Sequence, residues 1–431
     1  MIFMKLEDLS KNDDFIQREV RKERLEITFY YFKSLCDEKR ITDHLITPFY
    51  ELNRINELEE YIKSFEEWSF IKGEKEAIEK VFNGCVIILH EHKLYSVKLE
   101  DFEVSGIGES TDESVLQGPK DSLSENISIS LNIIRNRYRK ETLVSKNKKL
   151  GSTKTNINLL YDDELCDPQI LAHLNNKLKD IDVDVLQSAG QLQKILMDDK
   201  WCHFPMFLTT ERPDRVVVNL SQGKIVFLIE GSSWVLLGPS KFYDFFKSMD
   251  DPVELPVVGK FLISIRYIAL MITLFLPAFY VAVISYSPEI LKVQFALLIA
   301  GNRISVPFPS YFEIIFMMLM AEFLGEASIR LPRTISSSAT TVGGLILGQA
   351  ASQAGLIGNV MIVVAAAVSL SIFVIPINAM HQAIRIIRYP LIILGSLFGA
   401  IGVLIGALAL IAYLCNLRSL GKPYMQLFAN N

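Results

Sequence analysis

Residues 330–355, RLPRTISSSATTVGGLILGQAASQAG, are long enough to cross a bilayer as a helix, yet they are built mainly from Ser, Thr, Gly, Ala and Gln. Helices that face lipid draw on Leu, Ile, Val and Phe. A membrane-length segment this small and mildly polar suits a place against protein or water. Glu322 and Glu326 precede it, and apolar segments lie on both sides.

Working outward, the charge distribution divides the chain. From Lys260 onward there are ten Lys and Arg and four Asp and Glu; before it the totals of 44 and 49 leave 34 basic and 45 acidic residues, a net of −11. An acidic, charge-rich half therefore precedes an apolar one. No basic stripe of the density that nucleic acid requires is present. The first residues, MIFMKLEDLSKNDD, lack the apolar core of a signal peptide, so the acidic half is expected to stay cytoplasmic. The five cysteines are odd in number and form no CxxC pair, which predicts reduced structural thiols and no metal site.

The expected fold is an α/β soluble region of two related subdomains, 1–117 and 118–254, followed by an all-α transmembrane bundle over 255–418 and a short tail over 419–431. In the first subdomain, residues 12–32 read as a charged helix running into a strand, ITFYYF. Helices follow near 41–53, 57–68 and 73–81, then a hairpin in CVIILHEHKLYSVKL. Gly106, Gly108, Gly118 and Pro119 mark a loop and a boundary. The second subdomain reads as a helix over 121–139, a strand in KTNINLLY, helices over 168–179, 190–197 and 213–222, and a hairpin in KIVFLIEGSSWVLLGP. Segments 27–45 and 157–174 align through Leu-Cys-Asp and His-Leu, and Asn83-Gly84-Cys85 aligns with Gln222-Gly223-Lys224, which predicts a duplicated module. Cys36 with His44, and Cys166 with His173, could be a nucleophile and base, but recurrence at matching positions fits a shared core contact better. His90 and His92 read as a solvated turn, and Gly106-Ile107-Gly108 lacks the rest of a dinucleotide fingerprint. No catalytic set or cofactor motif emerges.

In the second half, 261–284 reads as a first span with Lys260 and Arg266 at its cytoplasmic end. The run 293–302 is too short to cross. Residues 311–329 are long enough but carry Glu313, Glu322 and Glu326. At ~100° per residue Glu322, Glu326 and Arg330 form one stripe, an ion path or an interhelical pair if it is at membrane depth and a wet interfacial face if it is not. Residues 356–375 and 390–414 complete five candidate membrane helices, with Arg385 and Arg388 in a connecting loop; the alternative is four spans plus one interfacial helix, which would keep the C-terminus inside. Gly344/Gly348, Gly395/Gly399 and Gly402/Gly406 are spaced four apart, which lets helix backbones approach closely in a bundle or oligomer.

VVGKFLISIRYIALMITLFLPAFYVAVISYSPEI (257–290), VPFPSYFEIIFMMLMAEFLGEASIRLP (306–332), VGGLILGQAASQAGLI (342–357) and LRSLGKPY (417–424) resemble the A subunit of the GerA-family spore germination receptors. So do GPKDSLSENI, NIIRNRYR, TERPDRV and GPSKFYDFF in the acidic half. The resemblance implies a multi-pass subunit of a three-part receptor in the inner membrane of bacterial endospores. Its partners would be a transporter-like B subunit that senses the nutrient and a lipoprotein C subunit. Self-association would form the path for monovalent cations. On that footing Thr334, Ser338, Thr341, Leu345, Gly348 and Ser352 fall near one helical face that would line a pore, with Leu345 narrowing it. Ser336, Thr340 and Gly343 form a competing face nearly as small. The main rival is a secondary transporter, which would need repeated membrane segments, and none is visible in this half.

Overall fold

The computed structural model describes residues 9–425 apart from 23–24, 52–54, 91–92, 100–117, 180, 182, 198 and 200. Within elements, the side chains of 25, 55–56, 74, 333–334, 337 and 339 are also outside the described residues. So are His92, Gly106 and Gly108, on which parts of the sequence reading rest. The chain forms two compact units. One comprises 1–200, 206–240 and 419–422, the other 201–205, 241–418 and 423–431.

The first unit holds two five-stranded sheets, antiparallel throughout. Strands β1 Phe15–Lys22, β2 Leu25–Phe32, β3 Trp68–Ile71, β4 Cys85–His90 and β5 Lys93–Lys98 are arranged in the order β1-β2-β4-β5-β3. Strands β6 Leu143–Leu150, β7 Thr155–Asp162, β8 Leu208–Thr210, β9 Ile225–Ile229 and β10 Val235–Gly238 repeat that order as β6-β7-β9-β10-β8. A helix precedes the fourth strand in each, α1 Glu74–Phe82 and α3 Pro213–Ser221, while α2 Ile127–Arg137 leads into the second sheet.

The aligned residues have the same backbone tasks in both copies. After β2 and β7 the N–H groups of Cys36 and Cys166 bond back to the carbonyls of Phe32 and Asp162, at 3.1 and 2.9 Å. Asp37 then accepts from the backbone of Lys39 and Arg40, and Asp167 from Gln169, each starting a helix as an N-cap. Gly84 and Gly223 end α1 and α3 with φ of 73° and 76°. A side chain at Gly223 would also meet the Leu165 carbonyl oxygen at 2.3 Å.

The charged helix expected over 12–32 is instead the β1–β2 hairpin, with Val20 opposite Ile27 and Arg21 opposite Glu26. β6, for which the sequence analysis has no strand, is its counterpart. Both lie at the edge of their sheet and carry basic residues along it, Arg and Lys in β1 and Lys in β6, which discourages pairing with another chain. A charged edge strand shows little alternation, and pairing with the apolar strand beside it decides its conformation.

Arg135 on α2 joins the sheets. It is fully buried, donates to Asp14 from Nε at 3.0 Å and Nη2 at 2.7 Å, and lies 4.1 Å from the Phe32 ring centroid. Ser34 donates to the same carboxylate at 2.8 Å, and Asn12 accepts from both Arg135 and the backbone of Ser145.

The second unit is helical: α4 Pro256–Tyr286, α5 Val293–Arg303, α6 Ser310–Arg330, α7 Arg333–Gln353, α8 Asn359–Phe373 and α9 Asn378–Asn416. Among the described residues α4 and α9 are long and apolar enough to cross a membrane. α9 is not one straight rod. Gly399 breaks it with φ 62° and ψ −145°. A Cβ on Gly402 would meet the Leu394 carbonyl oxygen at 2.1 Å, and one on Gly406 would meet Leu391 Cδ2 at 2.6 Å. Residues 391 and 406 would be about 22 Å apart on an unbroken helix. α9 is therefore a hairpin of two legs, 378–398 and 400–416, and the single expected run 390–414 folds back on itself.

Candidate functional site in the helical bundle

The small-residue helix α7 turns back antiparallel on α6. Ser328 and Ser336 share a hydroxyl hydrogen bond at 2.7 Å, the Thr340 hydroxyl caps the Ser336 carbonyl, and a Cβ at Gly343 would lie 3.2 Å from Leu324 Cδ2. The Ser336–Thr340–Gly343 face is thus the one committed to the neighbouring helix. Ser338, Thr341 and Leu345 point away from it and are exposed, Leu345 by 60%. Gly348 has no atom within 4 Å of where a Cβ would stand, so within one chain it is not a close-packing glycine. Gly344 approaches Leu324 Cδ1 at 3.9 Å. Ser352 donates to Asn359 at 2.6 Å, and the Thr334 side chain lies outside the described residues.

The acidic residues of α6 have three different environments. Glu322 is ion-paired with both Arg385 and Arg388 of the first leg of α9, and Arg388 is almost completely buried. These arginines, expected in a loop, lie inside a helix. Glu326 accepts from Arg330 at 2.7 and 3.2 Å on an exposed surface. Glu313 is 1% exposed, lies 3.3 Å from Arg303 Nε and accepts the Gly358 N–H at 3.1 Å. The expected stripe of Glu322, Glu326 and Arg330 is therefore divided: one member is locked between helices and two are held on the surface. The partners of Arg303, Arg385 and Arg388 are not legible from sequence spacing. The available signal was that carboxylates at membrane depth demand counter-charges, and few were on offer.

The remaining glycines serve the α9 hairpin. A Cβ at Gly395 would come within 2.9 Å of the Ala278 carbonyl oxygen, and one at Gly399 within 3.0 Å of the Tyr286 ring. The Tyr286 hydroxyl donates to the Ser396 and Leu397 carbonyls at 2.7 and 2.9 Å. The directions of the helices follow. The end of α4, the start of α6, the 355–358 turn and the α9 reversal lie at one end of the bundle, linked by Ser285–Ser310, Glu313–Gly358 and Tyr286–Gly399 contacts. At the other end, the second leg of α9 finishes beside the approach to α4. There Tyr413 packs on Phe204, and the Phe242 N–H donates to the Tyr424 carbonyl at 3.0 Å.

In the sheet unit the thiols of Cys36 and Cys166 are buried while His44 and His173 are exposed, an arrangement suited to core packing and not to a nucleophile with its base. Burial, with Asp167, Asp163 and Asp162 nearby, pushes the Cys166 thiol up to about 11. His90 is buried with Nδ1 3.0 Å from the Glu26 carbonyl, so it is not a solvated turn residue.

The chain matches the family described as Bacillus/Clostridium GerA spore germination protein over residues 4–431. It belongs to the GerA family. Spore germination protein KA of Bacillus subtilis (strain 168) is 30% identical over 432 residues, which cover 97% of this chain and 79% of that one. Spore germination protein A1 of the same organism is 28% identical, covering 97% of this chain and 88% of its own. The N-terminal domain of the A subunit of the Bacillus megaterium spore germinant receptor GerK3 is similar over 56% of this chain and 93% of that one, at 23% identity and a TM-score of 0.43. Membership of the GerA family assigns this chain a role in spore germination.

Proposed function

We propose that this chain is the A-type subunit of a nutrient-responsive germination receptor, that it crosses the spore inner membrane several times, and that copies of it surround a path for monovalent cations. The observation that carries the reading is the exposed face of α7: Ser338, Thr341 and Leu345 are exposed on a helix of membrane length, on the side away from α6. Hydroxyls and small side chains on such a face can line water without holding an ion too tightly to release it, and Leu345 is the bulky residue able to close it. Because the bundle ends beside the point where it begins, an even number of crossings places the C-terminus on the side from which α4 starts. Six legs meet that count: α4, α6, α7, α8 and the two legs of α9.

The charges support the same reading. Glu322 is locked between two arginines, whereas Glu326 shares a single arginine, Arg330, on an exposed surface, so any attraction of cations at the mouth falls to Glu326. A nutrient-sensing B subunit and a lipoprotein C subunit complete the receptor, with the bilayer as the surrounding solvent. The test is Leu345→Ala in spores. The expected result is leak of cations or germination without nutrient, and wild-type dormancy would refute the pore assignment. Reconstitution with the B and C partners, with current measured with and without nutrient, separates a gated passive path from transport against a gradient.

A further inference from the structure

At the end of the bundle where α6 begins, Phe308, Phe312, Glu313, Phe316 and Leu356 line a half-open cavity of about 160 Å³, with Phe312 and Leu356 exposed at its rim. Its walls are aromatic, with Phe308 and Phe312 rings 4.7 Å apart between centroids. The volume is close to that of an engineered apolar cavity of about 150 Å³ that holds benzene.

One part of the wall is not apolar. Glu313 is 1% exposed, and although Oε2 accepts the Gly358 N–H, Oε1 has no hydrogen-bond donor. The nearest cation, Arg303 Nε, is 3.3 Å away, is badly aligned and has no acceptor of its own. A buried acceptor and a buried donor therefore stand side by side with their charges balanced and their hydrogen bonds unmade. Such groups are rare in folded proteins and costly when left alone.

We propose that this cavity binds a small aromatic or alicyclic alcohol, its ring among the phenylalanines and its hydroxyl between Glu313 and Arg303. A hydroxyl donates once and accepts at its lone pairs, so one group satisfies both orphaned atoms. A hydrocarbon of the same size satisfies neither. An ammonium group supplies donors only and adds a positive charge beside Arg303, where Glu313 is already neutralised. The site is independent of whether α7 lines a path for ions.

The experiment uses the full chain in lipid nanodiscs and the ¹⁹F signals of 4-fluorobenzyl alcohol, 4-fluorotoluene and 4-fluorobenzylamine, with empty nanodiscs measuring partition into lipid. The expected result is saturable binding of the alcohol, about tenfold or more tighter than the toluene, the worth of one hydrogen bond to a charged group. The amine should bind more weakly than the alcohol. Leu356→Trp, which fills the cavity, should abolish saturable binding of all three. Glu313→Gln keeps the shape but loses the charge, and should shrink the alcohol's advantage over the toluene. Should the Glu313 variant fail to fold, the three ligands on the unaltered chain and Leu356→Trp still decide. Equal affinity for alcohol and toluene, tighter binding of the amine, or binding unchanged in Leu356→Trp would each overturn the proposal.

Discussion

Replacing Asp14 with Asn tests how the two sheets are held together. Asp14 is 6% exposed and accepts three hydrogen bonds, from Arg135 Nε, Arg135 Nη2 and Ser34 Oγ, at 3.0, 2.7 and 2.8 Å. Arg135 has no exposed surface at all. The substitution leaves a guanidinium buried without its counter-charge, and breaking such a pair costs about 3–5 kcal/mol. With a urea dependence near the upper end of about 1–3 kcal/mol per molar, the midpoint should fall by about 1 M or more.

The assay is urea denaturation of the full chain in detergent, followed by the fluorescence of Trp68 and Trp234 in single-tryptophan versions. Trp68 belongs to β3 of the first sheet and Trp234 immediately precedes β10 of the second. Because the pair joins the sheets, both probes should shift together. A second arm replaces both charges, Asp14→Leu with Arg135→Met, and should recover at least half of the loss, since removing a whole buried pair is far less damaging than removing one partner. A loss below about 1 kcal/mol in Asp14→Asn, or a double variant as unstable as the two singles combined, would refute the reasoning.

Three further outcomes follow from the geometry. Gly402→Ala pushes a methyl onto the Leu394 carbonyl and should destabilise the α9 hairpin by at least about 1–3 kcal/mol, whereas Gly348→Ala, with open space around it, should not; melting of the detergent-solubilised chain compares them. Glu322→Gln strands the buried Arg388 and should lower stability by about 3–5 kcal/mol, while Glu326→Gln on the exposed surface should change it by less than about 1 kcal/mol; equal effects in the same melting assay would contradict the division of the acidic stripe. Burial works against the Asp162 charge, but hydrogen bonds from the Tyr138 hydroxyl, at 2.5 Å, and the Glu164 backbone hold its carboxyl below the usual carboxylate value. That stability is present above about pH 4 and is lost as pH falls through the lowered native value, so Asp162→Asn should flatten the acid limb of a pH–stability profile; an unchanged slope would argue against it.

Much of the sheet unit was legible where local signals agree. The β4–β5 and β9–β10 hairpins, the helices over 168–179 and 213–221, and the Leu-Cys-Asp turns are all written in apolar alternation, helical period and capping residues. The edge strands β1 and β6 were not, because half their pairing surface is solvent and their charges tolerate helix and strand alike. In the bundle, the small-residue helix was visible from composition, but Ser336, Thr340 and Gly343 on one side and Ser338, Thr341 and Gly348 on the other are similarly small. Only the positions of Leu324 and Ser328 on α6 distinguish them.

Taken by itself, the sequence determined the division into an acidic sheet-forming part and an apolar helical part and the presence of unusual carboxylates and glycines. These properties depend on composition and on neighbours a few residues away. Tertiary structure alone decided that Gly399 reverses α9, that Arg385 and Arg388 close on Glu322, and which face of α7 meets α6. Each depends on groups tens of residues apart meeting in space, where a 2.1 Å approach at Gly402 or a buried charge without a partner selects one packing from several that the local sequence permits.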